Sequence, residues 1–216
     1  DKNNSTKLKI ELGMLKSVNV YFTGQIANPG IVLIHPFSDI FSAIVQAGGV
    51  KRDGSLRKIE LIRNGQTIAL VDFYSFFLNG KNIFSDVRIL DGDIIHIPSI
   101  KIRSKIVGEV LKEGFFEVLE EESLNDLVGY AGGFSESASS FAILDKIIPI
   151  SKRSSDDNAR ISKNIRMNEF SSINLNNGDS VKILSIGEVE TKVELFGRVK
   201  YPGYYAATSS LKEVLD

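Results

Sequence analysis

The chain has 216 residues, 43% of them apolar, enough for one or two ordinary domains with real cores. Its 26 Lys+Arg against 27 Asp+Glu leave a formal charge of -1, so the overall balance gives no reason to expect nucleic acid, whose binding proteins carry a basic excess. The lack of cysteine removes disulfide frameworks and thiolate metal sites, and no run approaches the roughly 18 apolar residues of a membrane-spanning helix.

Residues 1–17 are polar and then weakly amphipathic, a lead-in segment whose order depends on what it packs against. Val18 to Phe22 is β-rich and stops at Gly24; Asn28-Pro29-Gly30 is a turn in which Pro presets φ and Gly supplies φ > 0. Ile31 to Ile34 is then a second strand, so the unit opens with a hairpin. A helix capped by Ser38 or Asp39 follows, with Ile40, Phe41, Ile44, Val45 and Ala47 at helical spacing and Gly48-Gly49 as its stop. Asn64-Gly65, between the apolar runs Ile59–Arg63 and Thr67–Val71, marks a two-residue hairpin. Phe73, Phe76 and Phe77 fall at i, i+3 and i+4, a short helical turn with its rings inside; lining a sugar site is the functional alternative to core packing. Asp91-Gly92-Asp93 is a turn, and Ile94 to Ile97 a closing strand ended by Pro98.

This order recurs. Gly24 to Gly108 is an offset of 84, Gly48-Gly49 to Gly132-Gly133 is again 84, and Asp91-Gly92-Asp93 returns as Asn177-Gly178-Asp179 at an offset of 86. Self-similarity in register is the mark of repeated supersecondary units. In the second copy Glu113-Gly114 replaces Pro29-Gly30, and Ser123 caps a helix carrying Leu124, Leu127 and Val128. Gly129 in that helix implies a weaker helix or a closely approaching backbone. Phe141 to Ile150 supplies strand material with Pro149 at an edge, and Val181 to Ile186 closes the copy. Residues 151–168 between them, with five basic and two acidic side chains, read as a solvated loop, or functionally as a basic surface for an anionic sugar or a partner. A third copy opens with Val193 to Phe196, Gly197 and Pro202-Gly203, with a helix starting at Ser209 or Ser210. A start at an acidic, polar residue and an end inside a repeat point to a processed protein or an excised fragment.

No catalytic constellation is evident. His35 and His96 have no metal-ligand spacing, the Asp91-Gly92-Asp93 turn lacks the further ligands of a calcium loop, and Glu120-Glu121-Glu122 is better explained by the following helix dipole than by acid/base work. The glycine pairs end helices, whereas phosphate-binding glycines open them. The reading is a non-enzymatic protein with no cofactor, no metal and no assigned ligand-binding residues.

The strand ending in G-x-[IV], the P-G turn, the second strand, the capped helix ending in A-G-G, and the hairpin and G-D turn before an apolar strand resemble the SLBB domain, the soluble-ligand-binding β-grasp module. The residues that carry the resemblance are Gly24, Pro29, Gly30, Ala47, Gly48, Gly49, Gly92, Asp93 and Pro98 in copy one. Copy two matches at Gly108, Gly114, Ala131, Gly132, Gly133, Gly178 and Asp179, and copy three at Gly197, Pro202 and Gly203. The resemblance implies an α+β chain of tandem β-grasp modules, two complete (18–100 and 101–188) and the start of a third (189–216). Tandem SLBB modules are familiar in outer-membrane polysaccharide export proteins of the Wza type. Membership there implies a periplasmic, outer-membrane-associated scaffold or conduit for capsule or exopolysaccharide in a Gram-negative bacterium. It acts by homo-oligomeric ring assembly, with polysaccharide and an inner-membrane polysaccharide co-polymerase as partners, no nucleic acid, and membrane contact only through parts missing from this chain. The alternative is a module that binds a soluble ligand or oligosaccharide.

Overall fold

The computed structural model describes residues 15–81, 88–148, 150–153, 159–187, 192–195, 197 and 203–206. The chain divides into two compact units, 1–100 and 101–216.

In the first unit β1 (Val18–Gly24) and β2 (Gly30–Ile34) form the opening hairpin, pairing Tyr21 with Ile31 and Val20 with Val32. Helix α1 (Ile40–Gln46) starts at Asp39, whose carboxylate accepts the Ser42 N–H at 2.7 Å and so satisfies one of the first-turn donors. Gly48 and Gly49 both follow it with positive φ. β3 (Ile59–Arg63) and β4 (Gln66–Val71) meet through Asn64 and Gly65, at φ 51° and 76°, the two successive positive values that match the twist of a tight hairpin. After α2 (Phe73–Asn79), β5 (Ile94–Ile97) enters the middle of the sheet. The order is β2-β1-β5-β3-β4, with β1 parallel to β5 and every other neighbour antiparallel. Val20, Phe22, Leu61, Ile95 and Ile97 alternate onto one face and pack with Ile40, Ala43, Ile44 and Ala47 of α1. Each fully buried aliphatic side chain contributes roughly 1.5–3 kcal/mol by leaving water.

The second unit repeats this plan. β6 (Arg103–Gly108), β7 (Gly114–Glu117), α3 (Leu124–Tyr130), β8 (Ala138–Ile147), β9 (Arg160–Arg166) and β10 (Ser180–Ser185) form a sheet of order β7-β6-β10-β8-β9, with β6 parallel to β10. This is one helix grasped by a mixed five-stranded sheet, twice over: an α+β tandem of β-grasp modules. Where the first unit has α2, the second has a 3₁₀ turn over Met167–Ser172, and Phe170 fills its core as Phe73 does in the first. A further antiparallel hairpin, β11 (Lys192–Leu195) with β12 (Gly203–Ala206), stands where the third copy opens. Pro202 and the helix expected from Ser209 or Ser210 lie outside the described residues, as do Pro149 and most of the lead-in.

Two expectations are corrected. The expected loop over 151–168 holds a strand: β9 runs through Arg160–Arg166 and pairs with β8 along seven residues, while 154–158 lie outside the described residues. Ile161 and Ile165 alternate with polar neighbours, and an edge strand needs only one apolar row because its other face stays in water. Gly129 is also not a site of close approach, since a Cβ there would meet nothing within 4 Å.

The recurring glycines have a steric cause. Gly24 and Gly108 sit at φ 80° and 86°, and a Cβ on either would lie 2.1 Å from a backbone oxygen, that of Ile97 or Ile183. Those oxygens accept the Gln25 and Glu109 N–H groups at 2.7 and 3.1 Å, so the strand end and the closing strand are locked together at a point only glycine can occupy.

Candidate functional site

The recurring G-D turn is an internal anchor. Asp93 and Asp179 are both fully buried. The Asp93 carboxylate accepts from Arg63 Nε at 2.7 Å, from a terminal Arg63 nitrogen at 2.8 Å and from the Leu90 N–H at 2.8 Å. This bidentate pairing holds the Arg63 guanidinium above its ordinary pKa, the hydrogen bond to Asp93 being the main cause. Asp179 uses the same geometry on backbone alone, accepting from Ile147 N–H at 2.9 Å and Asn176 N–H at 2.8 Å. Asp91, two residues before Asp93, accepts from the backbone N–H and side-chain amide of Asn19, and these bonds lower its pKa. The turns therefore spend their carboxylates on the fold. Among the described residues no group of three or more His, Cys, Asp or Glu is placed to hold a metal ion.

His35 is exposed after β2, with its Nδ1 3.3 Å from the Phe37 N–H, while His96 on β5 shares a 2.9 Å hydrogen bond with the Thr23 hydroxyl. Of the glutamates before α3, Glu120 pairs with Lys101 at 3.2 Å on the surface, and Glu122 accepts the Leu119 N–H and the Tyr130 hydroxyl. The aromatic cluster is only partly core. Phe73 is buried, Phe41 and Phe76 are half-buried against it, and Phe77 is 55% exposed with its ring edge-on to Phe73 and Phe76.

The larger feature is the open face of each sheet, opposite the helix. In the first unit it carries Ile31, Leu33, Tyr21, Ile94, Ile62 and Leu70, with His96 and Glu60 as register partners among them. Ile31, Leu33 and Leu70 are each 61% exposed, an apolar face turned to water. In the second unit several of the same positions are polar or charged. Lys105 stands where the first unit has Tyr21, Phe115 where it has Ile31, Ser180 where it has Ile94 and Lys182 where it has His96. Sequence reading missed this contrast, although the 84- and 86-residue offsets held the signal once strand direction was known.

With this geometry in hand, residues 19–72 and 104–144 match the family model of the SLBB domain. One match falls within each unit. Two relatives, both polysialic acid transport protein KpsD of Escherichia coli, are 32% identical to the chain over 104 residues. The matched stretch is 48% of this chain and 18% of the relative, so the chain corresponds to a small part of those proteins. The matches cover β1 to β4 of the first unit and β6, β7 and most of β8 of the second, while β5, β9 and β10, which complete the two sheets, lie beyond them.

Proposed function

We propose that this chain is a periplasmic scaffold segment of an outer-membrane polysaccharide export assembly in a Gram-negative bacterium, working by association of copies and not by bond chemistry. The observation that carries the reading is the pair of SLBB-domain matches in a chain similar to a polysialic acid transport protein. In this reading residues 18–100 and 101–188 are complete modules and 189–216 begin a third, with polysaccharide and an inner-membrane co-polymerase as partners.

The surfaces suit assembly. β2 and β4 are the edge strands of the first sheet, β7 and β9 those of the second, and an edge strand offers backbone N–H and C=O groups to a neighbouring chain. The exposed apolar face around Tyr21, Ile31 and Leu33 adds surface whose burial is favourable. Identical modules joined by head-to-tail contacts close into a ring when the rotation between copies closes.

The test is the oligomeric state of the full-length protein in membrane-mimicking detergent, by native mass spectrometry or particle imaging. Closed oligomers are expected, and Tyr21→Lys with Ile31→Lys should shift them toward smaller species while each module stays folded. A strictly monomeric full-length protein overturns the assembly reading.

A further inference from the structure

We infer that the open face of the second sheet is a docking face for an acidic polysaccharide, with Lys105, Lys182 and Arg166 as its cationic anchors. The inference rests on the export reading above and adds to it a place of contact.

Strand alternation sets the face. Lys105 is exposed between buried Ser104 and Ile106, and Lys182 between buried Val181 and Ile183, so both point away from the helix. Register then places them. Lys105 lies beside Val181's neighbour Ser180, Lys182 beside Val107 and Ile143, and Arg166 beside Phe141 at the far edge. The three cations therefore step diagonally across β6, β10 and β9. With strands about 4.8 Å apart and a rise of about 3.3 Å per residue, the diagonal is roughly 20 Å long, the span of a few sugar residues.

Two kinds of group that a charged glycan needs lie along this track. The cations meet carboxylates, and two of them rest on aromatic rings, Lys105 Nζ at 5.9 Å from the ring centroid of Phe115 and the Arg166 guanidinium at 5.6 Å from that of Phe141. Ser180, paired with Lys105, and Asn164, across Ile143 from Lys182, are donors and acceptors for hydroxyls.

The charge balance of the face stays positive. Arg103 and Arg160 share it with the three anchors, and Glu113, Glu117 and Asp145 are its acids. Glu117 is buried opposite Arg103, the Glu113 carboxylate accepts the Gly108 N–H at 2.6 Å, and Asp145 accepts the Ser162 hydroxyl. The corresponding face of the first unit is apolar, so the cationic character belongs to this module alone and does not come with the fold. A local face of this kind coexists with the overall charge of -1.

The test measures binding of the full chain to alginate oligomers, a polyuronate, and to uncharged dextran oligomers of equal length, by calorimetry or ligand-observed NMR. Alginate should bind and dextran should not, with affinity falling as salt rises because exposed charge pairs are screened. Each of Lys105→Gln, Lys182→Gln and Arg166→Gln should weaken alginate binding about two- to five-fold, the scale of one exposed charge contact, and the triple variant at least about tenfold. Lys163→Gln, on β9 but on the opposite face beside Leu144, should leave it unchanged. Equal binding of dextran, a triple variant that binds as well as the parent, or single-stranded DNA bound as tightly as alginate each overturns the assignment. These outcomes leave ring assembly untouched, so the two readings fail separately.

Discussion

Gly24→Ala gives the sharpest test of how the module is closed. The residue sits at φ 80°, where an L side chain is strained by about 1–2 kcal/mol. Its Cβ would also lie 2.1 Å from the Ile97 oxygen and 2.9 Å from the Ile97 carbonyl carbon. Neither is the free end of a flexible side chain, so the strands must separate, at the roughly 1–3 kcal/mol typical of overpacking. The shift breaks the 2.7 Å bond from Gln25 N–H to that oxygen, worth about 1 kcal/mol more. The sum is about 3–6 kcal/mol. Gly65→Ala is the internal control: φ is 76°, yet a Cβ there meets nothing within 4 Å, so only the conformational strain of about 1–2 kcal/mol applies. Hydrogen exchange read on peptides covering α1 resolves the first unit from the second, avoiding the assumption that two units unfold as one. Protection in α1 should fall about a hundredfold or more for Gly24→Ala and about tenfold for Gly65→Ala. Equal losses in the two variants would refute the steric lock and reduce the recurring glycine to a matter of φ.

The buried anchors make two further expectations. Arg63→Met should cost about 3–5 kcal/mol by leaving the fully buried Asp93 carboxylate without its cation, and Asp93→Ala should cost less, because Arg63 is partly exposed and keeps its bond to the Arg88 carbonyl. The double variant should then cost less than the sum, measured by urea unfolding followed through first-unit signals. Asp91 gives the first unit an acid dependence: its folded pKa lies below the ordinary 3.8, so its contribution is fully present above the unfolded value and is lost as pH falls through the folded one. Asp91→Asn should lower stability near neutrality, where the charged form contributes, and flatten the profile of the parent below about pH 4; a parent profile already flat there would show that the Asn19 bonds do not favour the charged form.

Much of the module was legible in the sequence. Turn chemistry at Asn64-Gly65, the Asp39 cap, the Gly48-Gly49 stop and the two in-register copies are local properties, fixed by φ preference and by hydrogen-bonding groups a few residues apart. They mark hairpins and helices whatever the rest of the chain does. The second hairpin was harder, because Arg160–Arg166 has a single buried isoleucine and becomes a strand through β8 beside it.

What sequence alone determined is therefore the unit and its repetition, since 3.6- and 2-residue periods and positive-φ glycines need no partner. Only the tertiary structure decided what each position is for. The parallel pairing of β1 with β5, some seventy residues apart, brings the Ile97 oxygen against Gly24 and turns a permissive glycine into an obligatory one. The same long-range closure buries Asp93 and Asp179, which read as ordinary turn residues. It also sorts Tyr21 and Lys105 onto open faces of opposite character, because which side of a strand meets water is set by where the helix lands and not by the strand itself.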